Sequence, residues 1–375
     1  MVLGSSHRCV LVFGAALLAT SVHAEWQKVG MLVKERSEHA SAVVGGKIYL
    51  ITGIFNGKEG HEDMEVFDPA SGTWSMLNGE LGNRWRHHVT ANASIRGTEV
   101  WIVGGKVGKN PRDQVDIYNT ATDTWRAGPS LPVKFYGGPS VIVGDTLHAF
   151  AGAKSNTVTD DHHFTLDLTD PEATWEIGPS VPEPRVHAAG VAIGETIYFI
   201  GGEFEHRHNG DTPELQMYDT STETWSTGAP MPIGRSHHEW ATFVHNGEIW
   251  VGGGVDSSQN PRGQSEILIY TPSTDTWREF EYELPFRAVS PGVRMIDGVL
   301  YCFGGGIDTW FGGTQRDTYA LAPRDDQDWD RDVDRDDAAL FIDRLERRVF
   351  GTDRDENETF DAFDLSAYLA GIAGD

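Results

Sequence analysis

The chain has 375 residues, 56 of them acidic and 30 basic, which gives a formal net charge of −26. With 39% hydrophobic and 10% aromatic residues it can bury a full core, so a wholly disordered chain is excluded. A surface this acidic repels phosphate backbones and anionic lipids, which argues against nucleic acid as a partner. Two cysteines are too few for a disulfide framework.

Residues 1–24 have the pattern of a secretory signal peptide. A short basic segment precedes the apolar run from Cys9 to Thr20, and Val22-His23-Ala24 offers small residues at the cleavage positions. The run is too short to span a bilayer as a helix, and no later apolar stretch reaches that length. We therefore expect an exported protein, extracellular or in the cell envelope, without a membrane span. Cleavage would leave Cys302 as its single cysteine.

Residues 25–322 repeat themselves about every fifty residues. A tryptophan recurs at intervals of 48 to 52 residues, at Trp26, Trp74, Trp125, Trp175, Trp225 and Trp277. Apolar, β-rich runs between them end in small-residue doublets, at Thr52-Gly53, Gly104-Gly105, Ala151-Gly152, Gly201-Gly202, Gly252-Gly253 and Gly304-Gly305. Alternating apolar runs and turn signals at this spacing predict four short strands per repeat.

The pattern resembles the kelch repeat, which implies an all-β, six-bladed β-propeller over residues 25–322. Glycine doublets let neighbouring backbones approach near the axis, and tryptophans fill the wedges between blades farther out. The last repeat has its doublet and Tyr319 but no following tryptophan, whereas Trp26 has no preceding doublet. We therefore expect an N-terminal strand to complete the sixth blade. Blade 3, with Ala151 and Leu168 at repeat positions, should be the least regular.

Residues 323–375 form a distinct acidic tail, in which positions 324–375 hold 17 acidic and 7 basic residues. Two twelve-residue frames, 27 residues apart, place oxygen donors at the spacing of EF-hand calcium loops. The predicted ligands are Asp326, Asp328, Asp330, Asp332 and Asp337 in the first loop and Asp353, Asp355, Asn357, Thr359 and Asp364 in the second. We expect two Ca²⁺ ions in a small α-helical, EF-hand-like module, with helices over Ala338–Val349 and Leu365–Ile372. The alternative is a solvated acidic linker.

The paired loops resemble a dockerin module, since both loops close with aspartate instead of the EF-hand glutamate. That resemblance implies docking to a cohesin-like receptor or another extracellular protein. Position 6 is Arg331 in one loop and Glu358 in the other, where the family prefers glycine. A non-glycine residue at positive φ costs roughly 1–2 kcal/mol, so we expect modest calcium affinity. Without the ion, carboxylate repulsion should leave the tail largely unfolded.

Basic and histidine side chains recur where each innermost strand begins, which places them around the channel mouth. The candidates for ligand binding there are Arg36, His39, Arg86, His88, Arg185, His187, Arg235, His238 and Arg287. They could form a positive ring that grips an anion or a sugar acid. They could instead brace the loops through carbonyls, which we favour because a feature shared by all repeats usually serves the architecture. A four-histidine metal site is disfavoured, since no carboxylate joins the histidines at ligand spacing.

The position after each doublet breaks the repeat symmetry, with Glu203 its only carboxylate and Lys106, a further candidate for ligand binding, its only base. Glu203 is a weak candidate for a general acid or base, or else a salt-bridged loop residue. We expect a secreted propeller that binds a carbohydrate or protein ligand at its mouth and is tethered by the calcium-dependent tail. The alternative is a sugar-acting enzyme resembling the six-bladed kelch sialic-acid mutarotases. A buried Glu203 facing Arg185 or Arg235 across a pocket would favour the enzyme.

Overall fold

The computed structural model describes residues 25–55, 59–60, 62–79, 84–90, 92–155, 157–206, 210–259, 262–308, 313–323 and 335–346. The predicted signal peptide lies outside these residues. The described chain forms six four-stranded antiparallel sheets, each ordered from an innermost to an outermost strand. The innermost strands of neighbouring sheets contact one another, as in the expected six-bladed propeller.

Each blade is a four-stranded meander that runs from the channel outward. Blade 1 consists of Ala40–Val44, Lys47–Ile51, Glu65–Asp68 and Thr73–Met76. Blade 2 consists of Ile95–Arg96, Glu99–Val103, Val115–Asn119 and Thr124–Ala127. Blade 3 consists of Ser140–Val143, Thr146–Phe150, His163–Asp167 and Glu176–Ile177. Blade 4 consists of Ala189–Ile193, Thr196–Ile200, Leu215–Asp219 and Thr224–Gly228. Blade 5 consists of Thr242–His245, Glu248–Gly252, Ile267–Thr271 and Thr276–Glu279. Blade 6 consists of Gly292–Ile296, Val299–Phe303, Asp317–Leu321 and Gln27–Met31.

The N-terminal strand closes the ring, as predicted. Gln27–Met31 is the outermost strand of blade 6 and pairs antiparallel with Asp317–Leu321, with Gln27 opposite Ala320. Hydrogen bonds between chain segments almost three hundred residues apart therefore hold the first and last parts of the propeller together. Blade 3 is irregular at its rim, where the outermost strand shrinks to Glu176–Ile177.

The doublets adopt left-handed backbone conformations and let neighbouring segments pack closely. At Gly202 (φ 89°), a Cβ atom would lie 2.8 Å from the carbonyl oxygen of Val186. In blade 5 the left-handed pair is Gly253 (φ 58°) and Gly254 (φ 93°), while Gly252 still belongs to the strand. The predicted doublet Gly252-Gly253 is thus wrong by one residue, because three consecutive glycines leave the register open in the sequence.

The tryptophans fill the spaces between blades and tie each outer strand to the segment before it. The indole nitrogens of Trp175, Trp225 and Trp277 donate to the carbonyl oxygens of Pro129, Pro179 and Ala229, over 2.8, 3.2 and 2.8 Å. Each bond spans 46 to 48 residues, so it links one repeat to the next. The interval between tryptophans thus reflects how far apart successive blades begin.

The loops between the second and third strands of all blades emerge on one side, which we call the loop face. Antiparallel bridges connect the chain after each doublet to the segment that leads into an innermost strand, as in Val186 with Glu203. The regular parts of these loops are Ile54–Phe55 with Glu59–Gly60, Lys106–Val107 with Asn110–Pro111, Ala153–Ser155 with Val158–Thr159, and Gly306–Ile307 with Ala288–Val289. Loops and segments leading into the inner strands thus share one mouth, as predicted.

Little of the acidic tail lies within the described residues. Its one described helix runs over Arg335–Glu346, three residues earlier than predicted, and it buries Asp337 and Phe341. The other nine predicted calcium ligands and the predicted helix Leu365–Ile372 lie outside the described residues. A short 3₁₀ helix, Glu239–Ala241, precedes the innermost strand of blade 5. None of the helices described is both long and apolar enough to cross a bilayer.

Candidate functional site

Four of the arginines predicted to bind ligand are buried and paired within their own blades. Their guanidinium groups donate to polar side chains on the third strand or just before it: Arg36 to Glu65 (2.6 Å), Arg86 to Asp116 (2.6 Å), Arg185 to Gln216 (3.2 Å) and Arg235 to Glu266 (3.2 Å). They also donate to backbone carbonyl oxygens; Arg185 Nε, for example, donates to Gly201 over 2.6 Å. These contacts are those that the bracing alternative describes, and three of the four arginines, Arg36, Arg86 and Arg235, are paired with a carboxylate.

The arginine position does not extend to all six blades. The bridge pattern places Phe135 in blade 3 and Ala288 in blade 6 at this position. Arg287 precedes it and is exposed. Arg287 is therefore not a fifth member of the set.

Two of the predicted ligand-binding histidines, His39 and His238, are packing residues. Both are fully buried, and the His39 ring stacks on Phe303 with centroids 5.7 Å apart. His238 lies against the doublet of blade 4, where a Cβ atom on Gly201 would meet its Nε2 at 2.5 Å. Burial lowers the pKa of His238 to about 3, so this imidazole is neutral.

The residue just before His39 and His238 belongs to a column that points to the channel instead. Its members have φ between 50° and 65° and are Glu38, His88, Gly137, His187, His237 and Ser290. Their side chains meet across blades: the rings of His88 and His187 lie 4.7 Å apart, and those of His187 and His237 stack at 3.7 Å. Left-handed backbone at a non-glycine residue is strained and concentrates at functional sites.

A channel cluster of ten polar residues forms around this column, each at most 9% exposed. It consists of Glu38, His87, His88, Lys106, Tyr136, His187, Glu203, His206, His237 and Glu239. Of the predicted site residues it contains His88, Lys106, His187 and Glu203. The others were missed, although the left-handed column follows in the sequence as the second residue after each arginine of blades 1, 2, 4 and 5.

The first half of the channel cluster centres on Glu38. Its carboxylate lies 3.0 Å from His87 Nδ1 and 2.5 Å from His88 Nδ1. Burial acts to raise the pKa of Glu38, but the hydrogen bond from His87 and the charge of Lys106 outweigh it and lower that pKa. Lys106 lies over the Tyr136 ring at 4.2 Å, and burial lowers its pKa to about 8 against the pull of Glu38 and Glu203. The acidic and basic side chains of this half therefore stabilise one another within the channel.

The second half brings together His187, Glu203, His206 and His237, whose potential ligand atoms all lie within 4.8 Å of one another. The sequence shows no carboxylate at ligand spacing from the histidines, but the fold places Glu203 beside three of them. The Nδ1 atom of each histidine has a polar neighbour. His187 Nδ1 lies 2.9 Å from Glu239 Oε1, His206 Nδ1 lies 2.9 Å from Tyr136 Oη, and His237 Nδ1 lies 2.7 Å from Ser236 Oγ. Burial raises the pKa of Glu239, the carboxyl group beside His187 Nδ1.

Trp240 closes the channel beneath the cluster. The chain takes nine residues from His237 to the turn at Asn246, against seven from His187 to Gly194 in blade 4, so blade 5 carries two extra residues. These extra residues turn Glu239 and Trp240 into the channel, where the indole Nε1 donates to the Val89 carbonyl oxygen in blade 2 over 2.8 Å. Beyond Trp240 lies a cavity of about 270 Å³ lined by residues such as Val141, Val191 and Arg294.

The position of Glu203 separates the two functional hypotheses only in part. Glu203 is fully buried, as the enzyme hypothesis requires. However, it faces His187, His206 and His237. Arg185 and Arg235 pair instead within their own blades. The arrangement is therefore a carboxylate–imidazole site, without the guanidinium groups expected of a sugar-acid pocket.

Comparison with known proteins identifies the repeat family. The KLHDC2/KLHL20/DRC7 Kelch-repeats domain matches residues 87–305, and the Kelch motif matches residues 35–79. The chain belongs to the kelch-repeat family. Kelch propellers are protein-interaction folds, so the fold and its general role follow from this match and from the six blades.

Similar proteins carry kelch repeats alongside other regions. The chain is 25% identical over 270 residues to Kelch-like protein 35 of Mus musculus, covering 72% of this chain and 35% of that protein. It is 26% identical over 290 residues to Kelch-like protein terF of Aspergillus terreus (73% and 62%), and 29% identical over 321 residues to Acyl-CoA-binding domain-containing protein 4 of Arabidopsis thaliana (76% and 46%). The chain thus spans about a third to three-fifths of the length of these relatives.

Proposed function

We propose that this kelch protein is exported and binds a protein ligand on its loop face, while its tail binds calcium and tethers it to an extracellular assembly. The observation that carries the proposal is a set of exposed apolar side chains on the loop face. Val158, Phe204 and Ile233 are 50%, 46% and 43% exposed, in loops or in segments that lead into an inner strand. Apolar side chains grouped on one face of a soluble domain are typical of a protein-binding surface.

A groove on the same face would accept an apolar side chain of the ligand. Val33, Lys34, Glu35, Phe55 and Arg316 line a cavity of about 290 Å³ between blades 6 and 1. Because the chain as a whole carries a net charge of −26, a ligand with basic residues around apolar anchors would be attracted to the protein. We therefore favour a protein ligand over a carbohydrate, because exposed apolar side chains are typical of a protein-binding surface.

Selection of peptides from a random display library on the immobilised full-length chain tests the loop face. We expect apolar, basic peptides whose binding is lost on Phe204→Asp. The matched control is Ile177→Asp, since Ile177 is 72% exposed on the outermost strand of blade 3, away from the loops. A parallel glycan array separates the two ligand classes. Binding to glycans alone, or peptides that Phe204→Asp leaves bound, would contradict a protein-binding loop face.

Calcium titration of the full-length chain tests the tail. Two ions per chain should bind, and the gain of helical signal on adding calcium should disappear in a chelator. The variant Asp328→Ala with Asp355→Ala removes position 3 of both loops. The charge-matched control is Asp145→Ala with Asp170→Ala, at two exposed positions of the propeller. An unchanged helical signal, or unchanged binding in the double variant, would remove the calcium module and leave an acidic linker. A cohesin-like receptor is the partner class that the dockerin resemblance predicts.

A second candidate is a sugar-acting enzyme of the mutarotase or epimerase type. It is favoured by one observation, the burial of the Glu203 carboxylate beside Lys106 in the channel. One-dimensional NMR of anomer interconversion for neutral sugars and sugar acids tests it. Acceleration by the wild-type chain but not by Glu203→Gln is the expected result for this candidate, and equal rates with and without protein would exclude it for those sugars.

A further inference from the structure

The three histidines and one glutamate of the second half of the channel cluster have a composition that suits a metal ion. Their ligand atoms lie within 4.8 Å of one another, and three of the four side chains are fully buried. We propose that His187, Glu203, His206 and His237 bind one divalent transition-metal ion, such as Zn²⁺. Three of these residues belong to blade 4 and His237 leads into blade 5, so the ion would join the two blades at the channel.

The orientation of the imidazole rings supports this proposal. Each Nδ1 has a polar neighbour within hydrogen-bonding distance, namely Glu239, Tyr136 or Ser236, so Nε2 is the nitrogen that would reach the metal. Metal-ligating histidines usually hold their other ring nitrogen in this way, which fixes the tautomer and the ring orientation. His187 Nε2 is buried and has no hydrogen-bond partner among the described residues. A metal ion would provide that partner.

Glu203 is positioned by its backbone on two sides. Its amide donates to the Val186 carbonyl oxygen over 2.8 Å, the Val186 amide donates back over 2.9 Å, and a second bridge joins Glu203 to Asp211. The carboxylate is therefore presented from a fixed point beside His187, which follows Val186. Its negative charge would offset part of the charge of the ion in a buried place.

The ligand set favours some metals over others. Zinc bonds of about 2.0–2.1 Å place tetrahedral ligand atoms about 3.4 Å apart, so two ligand atoms at the 4.8 Å limit must approach by about 1.4 Å on binding. His206 lies in the loop between Glu203 and Asp211 and can make this adjustment more readily than residues on the strands. Imidazole suits Zn²⁺, Co²⁺ and similar ions, whereas Ca²⁺ and Mg²⁺ prefer oxygen ligands alone. The site would thus be chemically distinct from the proposed calcium loops of the tail.

Titration of the full-length chain with Co²⁺, in excess Ca²⁺ to occupy oxygen-only sites, tests the proposal. We expect one Co²⁺ per chain with visible absorption bands that Zn²⁺ abolishes. His187→Asn and Glu203→Gln should lose the bands, while Glu239→Gln, which removes the support of His187, should weaken binding by about 10- to 100-fold. The control is His162→Asn, because Asp160, Asp161 and His162 form a separate polar group on a loop.

Two results would overturn the proposal. One is the absence of stoichiometric Co²⁺ or Zn²⁺ binding to the wild-type chain, and the other is equal binding to wild type and His187→Asn. If His187→Asn fails to fold, His206→Asn provides the same test, since His206 lies on a loop. Undiminished binding in that variant, with a wild-type circular dichroism spectrum, would place the ion elsewhere.

Discussion

Four arginines brace the blades, and the residue two positions after each of them belongs to the channel cluster, yet the side chains of the two groups have different partners. Arg36, Arg86, Arg185 and Arg235 pair with side chains of their own blades. In the channel cluster the partners come from other blades: His187 contacts Glu239 of blade 5, and His206 contacts Tyr136 of blade 3. The difference indicates that the arginines stabilise each blade from within, whereas the channel cluster joins different blades at the centre.

The largest effect is expected from breaking a pair within a blade. Arg86→Met would leave Asp116 buried without its main cationic partner, because the two groups are 2.6 Å apart and almost fully buried. Loss of one partner of a buried ion pair costs about 3–5 kcal/mol of unfolding free energy. Urea unfolding measures this change. The control is Arg126→Met at the exposed pair with Glu99, which should cost no more than about 1 kcal/mol.

The next effect concerns acid stability in blade 3. His148 Nδ1 and His163 Nε2 lie 2.9 Å apart, and burial lowers the pKa of His163 to about 3 and that of His148 to about 4. The titratable groups around His163 are His148 and Tyr218. Because the unfolded chain takes up protons first, below about pH 6.5, stability present at pH 7 is lost as the pH falls toward the folded pKa values.

Urea unfolding at pH 7 and pH 5 measures this loss, which should be about 2 kcal/mol for each of these histidines. The pH-dependent difference should therefore be about 2 kcal/mol smaller in His163→Gln than in the wild type. An identical pH dependence in the two proteins would show that His163 titrates normally in the folded state. His162→Gln, next to it but on the loop, serves as the control.

The smallest effect is expected at the plug of the channel. Trp240→Phe removes the hydrogen bond to the Val89 carbonyl oxygen, which costs about 1 kcal/mol of stability beyond the change in ring size. Trp250→Phe is the control for the change in ring size, since Trp250 is equally buried and its Nε1 has no hydrogen-bond partner in the described part of the chain. Equal unfolding free energies for the two variants would mean that the cross-channel bond contributes nothing.

The fold could be predicted because its signals are local and repeated. Strand, doublet and tryptophan recur at one interval, and the missing tryptophan of the last repeat pointed to the N-terminal strand as the closing element. The error in blade 5 had a physical cause, since Gly252, Gly253 and Gly254 all tolerate positive φ and only packing selects the last two.

The site could be predicted only in part, because most of its side chains do not recur at the same position in every blade. Lys106 and Glu203 were found as departures from the pattern, and His88 and His187 as part of it. His206 lies on a loop whose sequence does not repeat from blade to blade. Glu239 and Trp240 reach the channel through a two-residue insertion whose course the sequence does not specify.

Zinc-induced thermal stabilisation, measured for variants of two adjacent histidines, tests the central distinction most directly. His237 belongs to the channel cluster, whereas His238 packs between blades 4 and 5. We expect His237→Asn to lose the rise in melting temperature on adding Zn²⁺, and His238→Asn to melt lower without metal but to keep that rise. An equal zinc response in both variants would contradict the assignment of His237 to the metal site and of His238 to packing between blades.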